Sequence, residues 1–188
     1  MKHTPFFLAL ALCGGLFTHT AHADIVGTPS LSAKFVTTVV AGTCSATVKQ
    51  GSTTTDTINF GDVFKSDIGT RTEPFKIAFT GCAGVDSAKI AAQAGSGNTC
   101  DSNSASFATT GTVNTHTAVE IWGGAAGSGT QLACTSGTPS NTVTTTIKGA
   151  STAEYAMNAR WVAASGYTAA QAVAGDASSA ITFVVTYE

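Results

Sequence analysis

Ser179-Ala180-Ile181-Thr182-Phe183-Val184-Val185-Thr186-Tyr187-Glu188 closes the chain. Every second residue from Ile181 to Tyr187 is large and apolar, and the residues between are mostly small or polar. Period 2 in β-branched and aromatic residues predicts a β-strand with one buried face. A strand that closes a domain ordinarily has a neighbour on each side or a covered edge. No turn or further strand follows this one, so its second partner is expected from elsewhere.

The composition suits such a strand. The chain has 188 residues, which favours one domain, and is 43% hydrophobic but only 11% charged. Its polarity comes from Ser, Thr and amides rather than ions, as in a β-rich secreted protein and unlike a disordered, highly charged chain. A formal net charge of -2 gives no case for nucleic acid or an anionic membrane as partner.

Residues 1–23 read as a secretory signal peptide. Lys2 and His3 precede an apolar run over residues 6–12, which Gly14, Gly15, Leu16 and Phe17 extend. Ala21-His22-Ala23 then supplies a small-x-small cleavage pattern before Asp24. A membrane anchor is the alternative, but the run is short for a bilayer. The mature protein is expected to start at Asp24, and no later stretch reads as a membrane-crossing helix. Cys13 leaves with the signal. Cys44, Cys82, Cys100 and Cys134 remain, an even count that implies disulfides in an oxidising compartment, with three possible connectivities. Zinc is disfavoured: no two of these cysteines form a C-x-x-C pair, and His116 is the only histidine left.

The mature chain opens on what looks like an arm. Ile25, Gly27, Pro29, Leu31 and Ala33 fall on one side of an extended segment, with Val26, Thr28, Ser30, Ser32 and Lys34 on the other. It reads either as a frayed terminus or as a strand that pairs outside its own domain. A first domain strand is expected from Phe35, ending near Cys44, and residues 49–56 read as a turn or loop. Residues 57–64 alternate again, with Ile58 and Phe60 on one face and Gly61 marking a bulge or bend. The clearest internal strand covers residues 74–82: Phe75, Ile77 and Phe79 share a face, Lys76 lies opposite, and Pro74 takes the first position. Weaker or shorter strands are expected around residues 89–92, 117–122, 131–135 and 142–148. Tyr155, Met157, Ala159 and Trp161 line one face of another. Many short strands between Gly/Ser/Thr turns indicate a β-sandwich, with no helix beyond a turn near residues 169–174.

Chemistry is hard to place on this framework. His116 is the only candidate base for a Ser-His-Asp or Cys-His site, and it sits in a polar, turn-like stretch. Glu120 and Glu154 lie on strands but alternate outward, as solvent-facing residues would. The Gly-rich segment 123–129 lacks the Lys-Ser/Thr and the helix of a phosphate-cradling loop. The expectation is no catalysis, no metal and no cofactor.

Taken in order, these pieces resemble one family, the pilin subunits of chaperone–usher fimbriae of the type 1 kind. An N-terminal strand leads into Cys44. Ile58-Asn59-Phe60-Gly61-Asp62-Val63 has the family's apolar-x-Gly-x-apolar look. Phe75-Lys76-Ile77-Ala78-Phe79-Thr80-Gly81-Cys82 is similar to its second-cysteine strand, and Asn158-Ala159-Arg160-Trp161 to its Ala-Arg-Tyr type strand. Gly175 is the fourteenth residue from the end and Tyr187 the penultimate one, as in the family's C-terminal signature.

The resemblance implies an all-β, incomplete immunoglobulin-like β-sandwich that lacks its final strand and is completed by a donor strand from a partner. It implies a signal peptide over residues 1–23, a donor-strand arm over 24–34 and a pilin domain over 35–188. The arm would donate Ile25, Gly27, Pro29, Leu31 and Ala33. Gly175, Ile181, Phe183, Val185, Tyr187 and Glu188 would form the acceptor groove and chaperone-binding strand. Cys44–Cys82 would be the family's disulfide, leaving Cys100–Cys134 as a second bridge, a departure from the simplest subunits. Pro29, which has no N–H, is another. The implied partners are a periplasmic pilus chaperone, an outer-membrane usher and neighbouring subunits in a head-to-tail polymer at the cell surface. The implied function is structural. The alternative is a single-domain adhesin, or a minor tip or adaptor subunit, that binds a host receptor. An exported hydrolase centred on His116 is a weaker third reading.

Overall fold

In the computed structural model, residues 34, 36–38, 42–102, 104–135 and 141–188 are described. The proposed signal peptide and the arm residues Ile25, Gly27, Pro29, Leu31 and Ala33 lie outside them. Ten strands follow in order: β1 (Thr43–Gln50), β2 (Thr53–Thr54), β3 (Thr72–Ala83), β4 (Ser87–Ala94), β5 (Phe107–Ala108), β6 (Thr117–Gly123), β7 (Thr130–Leu132), β8 (Val143–Thr146), β9 (Thr152–Ala163) and β10 (Ile181–Tyr187). Single 3-10 turns occupy Lys65–Asp67 and Ala169–Gln171.

All strand pairs are antiparallel. One sheet runs β2-β1-β3-β9-β6-β5, with β7 also on β6, and a smaller one runs β10-β4-β8. The two inner faces make one core. Phe75, Ile77 and Phe79 of β3, Met157 of β9 and Ile121 of β6 meet Ala88, Ile90 and Ala92 of β4 and Val143 of β8. Residues two apart on each strand share a face, which is why the alternating stretches of the sequence fill this layer. β4 carries small side chains and reads as weak in the sequence, yet it is the centre of the small sheet. Its Ala91, on the other face, is buried too.

The two disulfides are Cys44–Cys82 and Cys100–Cys134. The first joins β1 to β3 beside a register shift between Thr43 and Ser45. There Gly81 takes a φ of +63°, the conformation that lets β3 carry the extra residue. The second ties the loop after β4 to the segment after β7. Each cross-link constrains the unfolded chain by roughly 2–4 kcal/mol.

Three expectations need correction. The first strand does not end at Cys44: residues 36–38 and 42 belong to no strand, and β1 starts at Thr43. It then continues through Gln50 into a hairpin with β2; the expected turn is there, at Gly51 with φ +62°, but the residues flanking it pair as strands. Its Ser, Thr and Lys residues hold no hydrophobic period, and of its side chains only Cys44 and Val48 pack against the core. Second, residues 57–64 form no strand, although Phe60 is buried and Ile58 packs on the core. Third, Pro74 is the third residue of β3 rather than its first. It lies past Lys49–Lys76, the last β1–β3 pair, where the only described ladder is to β9. A missing N–H is tolerated where one flank is free.

Met157 is fully buried between the sheets. Met157→Ala should therefore cost ~2–5 kcal/mol, read as a lower denaturant midpoint with unchanged slope. A loss below about 1 kcal/mol would place Met157 outside a close-packed core.

Candidate functional site

β10 pairs with β4 along its whole length, from Ile181–Ala94 to Tyr187–Ala88. Its other edge carries no described strand. The consequence shows in burial. On β4, the inward residues Ala88, Ile90 and Ala92 are essentially sealed, whereas Ile181, Phe183, Val185 and Tyr187 on the same face of the sheet stay half-buried. Strands of equal depth would be covered equally. β10 is not, because no described strand pairs with its other edge.

Beside this edge runs a groove of about 1170 Å³. Phe183 and Ile181 form one wall, and Phe75, Ile121 and Trp161 line its depth. Ile58 and Phe60, from residues 57–64, supply the opposite rim. Phe75 meets Phe183 at 5.7 Å between ring centroids, and Phe60 packs edge-on against Trp161 at 5.2 Å. The second rim is held by side chains in place of a ladder. The Gln50 amide donates to the Asn59 carbonyl and accepts from the Asn59 N–H, both at 3.3 Å. Arg71 donates to the Phe60 carbonyl at 3.0 Å, and Asn59 caps the Gly61 N–H at 2.7 Å. Lys65 donates to the Ala170 carbonyl at 3.0 Å, linking the loops that flank one end.

Of the residues named from the sequence, Gly175, Ile181 and Phe183 line the groove. A Cβ on Gly175 would fall 2.2 Å from Val113 Cγ2, so its loop closes on Val113 only as glycine. Val185 and Tyr187 continue the same face but pack onto the core, with Tyr187 edge-on to Phe79 at 6.3 Å. Burial pushes the Tyr187 phenol up, which keeps it neutral. Glu188 lies outside the groove. Its N–H and C=O bond Ser87, and its carboxylate pairs with Lys89. Sequence reasoning missed the clamps from Gln50 and Arg71, for which no periodic signal exists.

The candidates for chemistry are occupied otherwise. His116 has a φ of +56° and stacks on Tyr167 at 3.9 Å, and its Nδ1 lies 3.2 Å from the Gln171 carbonyl. Glu120 is not the free solvent-facing carboxylate expected. It accepts from Arg160 at 2.8 Å and from the Trp122 indole at 3.0 Å, and Arg160 sits over the Trp122 ring. Glu154 is tied to Lys76 at 2.8 Å on the outer face. No three potential metal ligands gather among the described residues.

A two-sheet antiparallel sandwich with an open apolar groove beside its last strand defines a pilin-type fold. A family model described as "Fimbrial protein" matches residues 33–188. The chain belongs to that family, one of fimbrial structural subunits and not of enzymes, whose members are exported through the periplasm to a surface fimbrium. It is 33% identical over 192 residues to the uncharacterized fimbrial-like protein YadL of Escherichia coli K12, covering 95% of this chain and 93% of that one. Its fold resembles the P pilus rod subunit PapA, with a TM-score of 0.55, 21% identity, and 77% of this chain and 99% of that one covered. It also resembles a subunit from a chaperone–usher pilus solved to explain rod uncoiling, with a TM-score of 0.56, 20% identity, and 88% and 100% covered.

Lys89, first by its hydrogen bond and then by its charge, holds the Glu188 carboxyl below its ordinary 4.5. A lowered folded-state value means the pair contributes stability above the ordinary range and loses it as pH falls through the lowered value. Glu188→Gln should therefore lower the melting temperature slightly near neutral pH and leave it unchanged in strong acid, the difference shrinking with salt because the pair is exposed. A difference that stays constant down to about pH 2 would remove this ion pair as its cause.

Proposed function

We propose that this chain is a structural subunit of a chaperone–usher fimbria that polymerises by donor-strand exchange. In this reading residues 1–23 are removed on export, residues 24–34 form the donor arm, and residues 35–188 form the body. A periplasmic chaperone first fills the groove with a strand of its own. At an outer-membrane usher the arm of the next subunit takes its place, with Ile25, Gly27, Pro29, Leu31 and Ala33 facing inward. Gly175, Ile181, Phe183, Val185, Tyr187 and Glu188 form the acceptor groove and chaperone-binding strand, with Glu188 closing the strand beyond the groove itself.

One observation carries the reading: the inward face of β10 is half-exposed although its partner β4 is sealed. An inserted strand would cover that face and pair the free edge of β10, the mode of recognition called strand addition. It would also lie against residues 57–64, which alternate like a strand but have no ladder. Each large apolar side chain so buried is worth ~1.5–3 kcal/mol. The contact is head-to-tail and does not close on itself, so an open filament results. The likeness to subunits of a P pilus rod and of a chaperone–usher pilus supports the assignment.

The test is thermal unfolding of the purified mature protein, non-reduced, with a peptide covering residues 24–35. At a hundredfold excess over its dissociation constant the peptide contributes about 2.7 kcal/mol, or ~5–10 °C in midpoint for a domain of this size. Phe183→Ser should reduce that shift. No shift from the peptide, with a high midpoint for the protein alone, would mean a complete domain and would sink the proposal.

A further inference from the structure

The groove beside β10 lies between the two sheets, so its width depends on how they are held relative to each other. Cys44–Cys82 does not set that spacing, because it joins β1 to β3 within the larger sheet. Cys100–Cys134 is placed differently. Cys100 lies on the segment that leaves β4 of the small sheet, and Cys134 follows β7 of the larger one. Backbone bonds brace the same junction. The Ala94 N–H donates to the Thr135 carbonyl at 3.2 Å, and the Cys134 N–H donates to the Ala105 carbonyl at 2.9 Å. The bridge therefore fastens the segment leaving the small sheet to the larger one, beyond Ala94–Ile181, where the β4–β10 ladder ends.

Past that last pair, the two segments stay together by other means. The Gly95 N–H donates to the Ala180 carbonyl at 2.9 Å. A Cβ on Gly95 would fall 2.9 Å from the Ala180 carbonyl carbon, so the segments approach this closely only with glycine. The Asn98 amide, two residues before Cys100, donates to the Ser179 hydroxyl at 2.9 Å and to the Ala180 carbonyl at 3.0 Å. The Ser179 hydroxyl donates in turn to the Ala108 carbonyl at 2.9 Å. Gly95, Ser96, Ser179, Ala180 and Ile181 all line the groove, so these bonds shape the end of it where β10 begins. Asn98 Oδ1, by contrast, is buried without a hydrogen-bond partner. An unpaired buried acceptor costs the fold stability. Asn98 is therefore better explained by where it holds Ser179 and Ala180 than by what it adds to stability.

We propose that Asn98 and the Cys100–Cys134 bridge are positioning elements of the strand-accepting groove. Together they fix residues 178–181 against residues 95–98 and tie both to the larger sheet, so that this end of the groove is held at the spacing an inserted strand needs. The inference rests on the donor-strand reading above and concerns how that same site is kept ready. A wall that is already ordered loses no further conformational freedom when a strand enters, and the binding free energy is not diminished by ordering it. Loosening this corner therefore weakens strand insertion by more than it weakens the fold. The two bridges thus differ in role: Cys44–Cys82 secures one sheet, and Cys100–Cys134 secures the space between the sheets.

The experiment measures binding of a labelled peptide covering residues 24–35 to the purified mature protein, non-reduced, at a temperature where each variant is folded. Replacing Cys100→Ala and Cys134→Ala together should raise the Kd about tenfold or more, chiefly through faster release. Asn98→Ala, which leaves both bridges intact, should raise it about fivefold or more. Its melting temperature should stay close to the parent's, because the unpaired Oδ1 leaves with the amide. Should the cysteine variant fail to fold, Asn98→Ala alone carries the test. Elements that serve only stability would lower the melting temperature and leave the Kd unchanged, and that result overturns the proposal. A parent protein that binds no peptide would remove the donor-strand reading and this inference with it. A parent that binds, with variants that bind equally well, removes this inference alone.

Discussion

Among the described residues β10 has one hydrogen-bonded neighbour, and its side chains are those of a strand with two. Ile181, Phe183, Val185 and Tyr187 are too large and apolar for an ordinary sheet edge, which proteins usually blunt with charge, proline or a covering segment. Here the edge is left flat and apolar beside a groove. The rest of the molecule makes that tolerable. The larger sheet is built around two 12-residue strands, β3 and β9, paired over nine residue positions. Cys44–Cys82 fastens its margin, and the small sheet rests on it through Phe75–Phe183 and Phe79–Tyr187. The large sheet can hold the small one in place although the outer edge of β10 carries no described strand.

The opposite rim follows from the same shortage. Residues 57–64 carry the side-chain period of a strand without its hydrogen bonds. Side-chain alternation records which face of a segment is buried, and Ile58 and Phe60 are indeed directed at the core. It does not record whether a ladder exists. Where the ladder is missing, polar groups must be satisfied some other way, and Gln50, Arg71 and Asn59 do so at Asn59, Phe60 and Gly61. Those side-chain bonds hold the rim in an extended path with the groove open beside it.

The same distinction separates the legible elements from the rest. β3, β6, β9 and β10 can be read because each alternates large residues on one face, and burial follows that alternation. β1 and β2 cannot, because Ser, Thr and Lys on an outer strand leave no period to read. β4 is underrated by its sequence because alanine fills a tight layer as effectively as a larger residue where the opposite wall is aromatic. Of the groove, the β10 wall is legible and the facing wall is not. That wall draws Val48, Phe75, Ile121 and Trp161 from four strands, and only the tertiary arrangement brings them together. Glu120 is misjudged for the same reason: its partners Trp122 and Arg160 are explained by the β6–β9 register, which pairs Glu120 with Arg160.

The groove beside β10 and the polar cluster at the start of β6 differ in chemistry. A groove that accepts a strand must shed water along its whole length, because its apolar side chains stabilise an insert only against a dry wall. This chain, with 11% charged residues, builds its internal polar networks mainly from Ser and Thr. Thr109, Thr115 and Thr117 form such a set, and Ser104 and Ser106 orient Asp101. Thr117 stands where the two surfaces meet, its hydroxyl in the polar network and its strand, β6, contributing Val119 and Ile121 to the apolar groove. Thr117, Val119 and Ile121 share one face of β6, so the change from polar to apolar runs along the strand rather than across it.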